Sequence, residues 1–364
     1  MNKIRIWGAV ALISVWLALA GLAWLLPSRA ASDTERRPLA QFPTLSADTL
    51  LDGSFMSDFE TYTLDQFPFR DPFRSLKSLV HYYGLGQKDN NGIYLSGGYA
   101  AALEYPLSTA SVDNALEKFS RIYEKYLQGS KVYLAVAPDK SYYLATQNGY
   151  PAMDYTALFQ QLRQGMPWAE YVDLTDTLGI DAYYRTDTHW RQEKLLPAAQ
   201  VLSQAMGLTI PKAADFTVTQ VEQPFYGVYY GQAALPMPAD TIYLLESSLL
   251  SDCRVYNHEK GTWGPVYDLV RLTGKDPYEV FLSGPQSLLT IENPNAGTNR
   301  ELIVFRDSFG SSLVPLLVQD YETVTLVDIR YLSSALLDRF VDFHGQDVLF
   351  LYSTLVLNNS AALK

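Results

Sequence analysis

Leu302-Ile303-Val304-Phe305 runs without a break into Arg306-Asp307-Ser308-Phe309-Gly310. Four consecutive apolar residues, two of them β-branched, fit a strand buried on both faces, as strands of a parallel sheet are. The serine then falls at the turn before an expected helix. In open α/β sheets ligands bind outside the carboxyl ends of the strands, which is where Ser308 stands. The first amides of the following helix would point at a developing oxyanion there. A serine at this point is also a good helix N-cap, and the local pattern leaves both readings open.

The same texture recurs on either side. Val132-Tyr133-Leu134-Ala135-Val136-Ala137 is a continuous apolar run ended by Pro138, and Val324-Thr325-Leu326-Val327 and Val348-Leu349-Phe350-Leu351-Tyr352 repeat it downstream. Tyr171-Val172-Asp173-Leu174 reads as a shorter strand. Helical patterns at residues 110–127, 154–166 and 192–206 lie between strands, with further helices expected near 313–318 and 333–342. Strands alternating with helices imply βαβ units and a three-layer α/β sandwich. From about 209 to 291 the chain is richer in Gly, Pro and Tyr and carries short alternating runs, read as a β-rich insertion near the active face. Residues 55–85 read as mostly helical, broken where Pro68 interrupts Asp65-Gln66-Phe67-Pro68-Phe69-Arg70-Asp71.

At the amino terminus, Lys3 and Arg5 precede an uncharged apolar run from Ile6 to Leu26 that Pro27 ends. A helix of that length spans the hydrocarbon layer of roughly 30 Å, and the basic flank puts the amino terminus in the cytoplasm. Residues 1–27 therefore read as a single-pass anchor, with everything beyond them outside. The small residues Ser28-Arg29-Ala30-Ala31-Ser32 leave a secreted form after signal cleavage as the alternative. Residues 28–48, polar and proline-containing, read as a tether, and 49–364 as the α/β domain.

The chain has 364 residues and a formal net charge of −11, which repels a phosphate backbone, so no nucleic-acid partner is expected. Its single cysteine, Cys253, excludes an intrachain disulfide and a cysteine metal cluster. The four histidines are far apart in sequence, so no metal site and no cofactor is expected.

A second chemical signal lies in Tyr183-Tyr184-Arg185-Thr186-Asp187-Thr188-His189-Trp190. In an extended loop, residues two apart project to one side, so Asp187 and His189 share a space. Asp187 can then orient the imidazole through Nδ1–H and leave Nε2 to take a proton from a serine. A surface-loop histidine is the plain alternative. With Ser308 the pair makes a candidate triad whose chain order fixes nothing by itself.

Asp187-Thr188-His189-Trp190 and Arg306-Asp307-Ser308-Phe309-Gly310 resemble the signatures of the bacterial DHHW family, itself similar to the SGNH-hydrolase-like alginate O-acetylation proteins. Glu35-Arg36-Arg37-Pro38-Leu39, the Asp65–Asp71 stretch, and Asp276-Pro277-Tyr278-Glu279-Val280-Phe281-Leu282-Ser283-Gly284 match the family's texture in order. Thr188 stands where the family name has its first His, which leaves the proposed triad untouched.

The resemblance implies a flavodoxin-like SGNH sandwich with permuted motif order. It makes Ser308 the nucleophile, His189 the base and Asp187 its orienter. It also implies O-acetyl transfer to, or removal from, an extracellular polysaccharide, with a membrane-bound O-acyltransferase as donor partner. A non-catalytic glycan-binding or assembly scaffold and an esterase for another acyl group are the competing classes.

Five further residues are candidates for binding. Lys140 follows a strand end and either reaches the site's face or is solvated. Tyr278 and Gly284 either wall the site or serve turn and packing roles. Arg306 suits an ion pair or an oxyanion contact, and Trp190 a sugar platform or packing for the His loop.

Overall fold

The computed structural model describes residues 3–364, and its contacts divide the chain into two units. One is the chain through Asn91 with Tyr230–Pro236; the other is Gly92–Tyr229 with Met237–Lys364.

The first unit opens with α1, Lys3–Leu25, of which Arg5–Leu25 is long and apolar enough to cross a bilayer. Helices α2 (Ser54–Asp65) and α3 (Arg70–Leu79) follow, separated at Pro68 as expected. Residues 28–48 are not a free tether. Arg37 donates to both oxygens of Asp65 at 2.8 and 2.6 Å, and Glu35 pairs with Arg70 and, at 3.2 Å, with Arg74. The Arg37 guanidinium draws Asp65 down to about 2. These pairings need the segment to lie along α2 and α3, which overrides its linker-like composition.

The second unit is built on one eight-stranded sheet. Outside the sheet, Ile93–Ser96 (β1) and Tyr99–Ala102 (β2) form a hairpin, turned by Gly97 and Gly98 at φ 57° and 82°. The chain then gives β3 (Val132–Ala137), β4 (Glu170–Val172), β5 (Thr217–Gln220), β6 (Tyr243–Glu246), β7 (Arg254–Asn257) and β8 (Thr262–Gly264). It ends with β9 (Leu288–Glu292), β10 (Arg300–Arg306), β11 (Tyr321–Val327) and β12 (Asp347–Ser353).

The sheet order is β8-β7-β9-β11-β10-β12-β3-β4. From β11 to β4 neighbours are parallel, while β8, β7 and β9 continue the sheet antiparallel. The segment read as an insertion therefore supplies three strands of the central sheet, and only β5 and β6 form a ladder of their own.

Alternation along β10 explains its all-apolar sequence. Leu302 and Val304 enter one core with Trp190, Leu202 and Leu317, while Ile303 and Phe305 enter the other with Phe119, Leu162 and Phe350. Both faces are thus buried, as parallel strands require. Helices α4 (Thr109–Ile122) and α5 (Tyr155–Gly165) cover the second face, capped by Ser108 and Asp154. Helix α6 (Leu196–Ala205) covers the first. The helical patterns at 313–318 and 333–342 fold as tighter 3₁₀ turns, Val314–Asp320 and Ser334–Arg339. In the former, Pro315 withholds an amide from an α-helical ladder.

Candidate active site

Strand β10 lies between parallel neighbours β11 and β12, so its carboxyl end delivers Ser308 to the rim of the sheet beside the ends of both. Asp307 fixes the turn that follows. Its Oδ1 accepts the Phe309 amide at 2.9 Å, and its Oδ2 accepts the Ser353 amide at the end of β12 at 2.7 Å. The buried carboxylate ties the serine turn to the neighbouring strand. Gly310 permits close packing here, since a Cβ would stand 3.0 Å from the Cβ of Arg306.

The loop carrying Asp187 and His189 is bent rather than extended, closed by an antiparallel bridge between Tyr183 and Trp190. The two side chains meet through a local turn. Asp187 Oδ1 accepts the His189 backbone amide at 3.0 Å and lies 2.6 Å from His189 Nδ1. Nε2 of the same ring is 2.8 Å from Ser308 Oγ, across 119 residues of chain. With its proton on Nδ1, the imidazole donates to Asp187 and accepts from the serine hydroxyl. Asp187 is buried, His189 nearly so, and Ser308 is partly open. The arrangement can take the hydroxyl proton as the oxygen attacks an electrophile.

Several groups hold this chain in place. The Val228 amide donates to Asp187 Oδ2 at 2.8 Å, and the Gly227 amide to Thr186 Oγ1 at 2.9 Å. Asp240 accepts the amides of Arg185 and Thr186 at 2.8 and 2.7 Å. Thr188, at the position where the family name has its first His, accepts from Tyr229 Oη at 3.1 Å. None of Gly227, Val228 or Asp240 belonged to a sequence pattern, because each acts through backbone approach or amide contact from a distant loop.

The five further candidates sort by burial. Trp190 is fully buried, and its indole N–H reaches the Phe309 carbonyl at 3.0 Å and Ser312 Oγ at 2.9 Å. It packs the His loop against the serine turn and offers no sugar platform. Tyr278 stacks on the His189 ring, centroids 3.8 Å apart and planes within 7°, and its hydroxyl lies 2.9 Å from Ser312 Oγ. It therefore covers one face of the imidazole.

Lys140 is neither solvated nor open to a ligand. Its ammonium is buried and donates to the carbonyls of Tyr184 and Arg185 at 3.0 and 3.3 Å, beneath the Asp187 loop. Burial pulls it down to about 7, against the opposing pull of Asp187, Asp240 and Asp139.

Arg306 is likewise enclosed. Nη1 donates to Ser311 Oγ at 3.0 Å and the Asp307 carbonyl at 3.3 Å, while Nε and Nη2 are buried with no partner among the described residues. Burial lowers its pKa, and Asp328, gripped by Arg330 at 2.6 Å, is the largest opposing influence. Gly284 answers to turn geometry: it sits at φ 84° after Leu282 and Ser283, also at positive φ, and a Cβ would strike Glu279.

The amides expected to face an oxyanion are already engaged. Phe309 N–H goes to Asp307 Oδ1, Gly310 N–H to the Asp307 carbonyl at 3.2 Å and Ser311 N–H to the Ser308 carbonyl at 3.2 Å. The helix they begin, Gly310–Leu313, is too short to act as a dipole source of its own.

Known proteins of similar structure share this architecture. A DHHW family protein from Eubacterium siraeum DSM 15702 superposes with a TM-score of 0.62 at 22% identity, over 75% of this chain and 94% of that one. Bacillus cereus PatB1, solved with a sulfonyl adduct, gives 0.58 at 17% identity, over 73% and 95%. No curated protein matches the chain. The DHHW protein family model matches residues 176–327, the stretch that holds Asp187, His189 and Ser308. Over that stretch the chain matches the DHHW protein family.

Proposed function

We propose that the chain is an extracytoplasmic acyl-transfer enzyme whose nucleophile is Ser308, with His189 as base and Asp187 as its orienter. One observation carries the reading: a single imidazole lies 2.6 Å from a buried carboxylate and 2.8 Å from a partly open serine hydroxyl. Ser308 Oγ attacks the acyl carbonyl while its proton passes to His189 Nε2. The tetrahedral adduct collapses, the C–O bond to the leaving group breaks, and His189 returns the proton to that group. An acceptor hydroxyl then gives its proton to Nε2 and attacks the serine ester, which releases Ser308 with its proton restored.

The acceptor class is a cell-surface or secreted polysaccharide, and the acyl group an acetyl. The family resemblance supports both, and it also supports a membrane-bound O-acyltransferase as donor. Water in place of the sugar hydroxyl makes the same site a deacetylase. The sulfonyl adduct of PatB1 supports the reading further, since sulfonyl electrophiles report activated nucleophiles. The apolar α1 behind Lys3 and Arg5 supports an anchor with the working unit outside.

Intact-mass measurement of the full chain after exposure to an aryl sulfonyl fluoride, and separately to p-nitrophenyl acetate, tests the proposal. A single adduct on the native protein, mapped to Ser308 and lost in Ser308→Ala, is expected. Adducts that persist in Ser308→Ala would remove Ser308 from the role. Transfer is separated from hydrolysis by adding acceptor glycans and following the fate of the acetyl group.

A further inference from the structure

Helix α3 shows an unusual distribution of side chains. Phe69, Phe73, Leu76, Val80 and Tyr83 recur at i, i+4, i+7, i+11 and i+14, one stripe along the helix and the turn that extends it. A helix that faces a core hides such a stripe, but these five side chains are between 43% and 79% exposed. Arg70, Arg74 and Lys77 run beside it, and the two arginines pair with Glu35. Leu64 and Met56 of α2 and Leu85 beyond α3 are also exposed. An apolar surface of this extent rimmed by charge marks an interaction site.

The elbow between α2 and α3 is fastened to the end of α1. Gln66 accepts the Arg29 amide at 2.8 Å and donates to the Arg29 carbonyl at 2.9 Å, four residues past Leu25. Four residues reach at most about 14 Å. Next to Gln66, the ring of Phe67 stands 6.5 Å from that of Trp16 in α1. Trp16 lies nine residues before the end of α1, about 13 Å along its axis. If α1 spans a bilayer, that is the depth of the outer leaflet's hydrocarbon.

We infer that the α2–α3 elbow and the exposed stripe of α3 lie in the outer leaflet of the same bilayer that α1 crosses, so that the first unit is an interfacial platform and α1 more than a string. The occupant of the apolar face is lipid. The stripe meets acyl chains and Lys77 stays at headgroup level, as in helices that lie in a membrane surface. The inference rests on the anchor reading of α1.

Full-length protein in nanodiscs tests it. Single substitutions Phe69→Cys, Leu76→Cys and Tyr83→Cys carry nitroxide labels, with Leu17→Cys in α1 and Glu117→Cys on α4 as references. The native Cys253 is buried and does not compete for label. Collision of each label with oxygen, which concentrates in lipid, is compared with collision with water-soluble nickel ethylenediamine diacetate.

The labels at 69 and 76 are expected to match the Leu17 position, with oxygen favoured several-fold and nickel excluded, and to differ from Glu117. Nickel access at 69 and 76 equal to that at Glu117, with Leu17 still in lipid, overturns the inference and leaves the anchor standing. Protection from both reagents means a protein partner covers the stripe, which also overturns it. A water-accessible Leu17 label defeats the anchor reading and the platform with it.

Discussion

Gly227 carries no functional atom, yet Gly227→Ala should cost nearly as much activity as changing a member of the triad. A Cβ at residue 227 would stand 2.2 Å from the Cβ of Asp187, 2.3 Å from its Cα and 2.5 Å from its amide nitrogen. Ordinary carbon contacts begin near 3.4 Å, so the backbone of Asp187 or the 227–228 turn must give by about 1.2 Å. Gly227 is not at positive φ, so the penalty is purely the clash. The aspartate reaches His189 Nδ1 over 2.6 Å and receives the Val228 amide over 2.8 Å, and a shift of that size exceeds what either bond tolerates. Misplacing a catalytic group by about 1 Å can cost on the order of 10²-fold, and losing the orienting carboxylate about 10⁴-fold. Gly227→Ala should therefore fall between those limits in the rate of Ser308 acylation. Overpacking should lower stability by about 1–3 kcal/mol, leaving a folded protein. Stopped-flow release of p-nitrophenol, read beside a thermal melt and beside Asp187→Asn, measures both effects. A folded Gly227→Ala that acylates at the native rate would refute the claim that Asp187 is held by contact with this turn.

Other expectations follow from the same geometry. Tyr278→Phe keeps the ring on His189 but loses the hydroxyl contact to Ser312, so stability should drop by about 1 kcal/mol with activity within tenfold. Tyr278→Ala should lose far more activity, and equal losses in both variants would show that stacking does not matter. Asp307→Asn turns one of two acceptors towards a backbone donor; a loss of about 1–3 kcal/mol in the denaturation midpoint is expected, and an unchanged midpoint would argue against the strand tie. Burial lowers Lys140 to about 7 from an unfolded value near 10.5. Between those values the unfolded chain holds the extra proton, so this group's contribution to stability rises with pH, at a limiting slope of about 1.4 kcal/mol per unit. Native and Lys140→Met proteins compared by urea denaturation at pH 7 and 8.5 should differ in slope, and parallel slopes would contradict the assignment.

The parallel half of the sheet was legible because its strands are apolar on both faces, and the three catalytic candidates because each follows a local pattern. Asp187 and His189 come together as anticipated, though through a turn bond from Asp187 to the His189 amide rather than an extended loop. The antiparallel strands β7, β8 and β9 escaped notice as sheet members. Arg254-Val255-Tyr256-Asn257 and Thr262-Trp263-Gly264 are short and mixed in polarity, since antiparallel strands at and next to the sheet's edge need no continuous apolar run. The depth of Lys140 and Arg306 could not be read from sequence, which gives no measure of burial: both are cations, and both are enclosed. Residues 28–48 looked like linker because Glu35 and Arg37 find partners in α2 and α3, which composition does not reveal.

The stacked Tyr278 ring has a kinetic consequence. A histidine pressed flat against an aromatic at 3.8 Å, and bonded at both nitrogens, has no room to turn over and exchange Nδ1 for Nε2. Every proton that enters through Nε2 must leave by the same atom. Under the proposed acyl transfer, leaving group and incoming hydroxyl must then stand in one place at different times, which predicts a ping-pong sequence: the first product departs before the acceptor can dock, and the two compete as mutual inhibitors for a single lane.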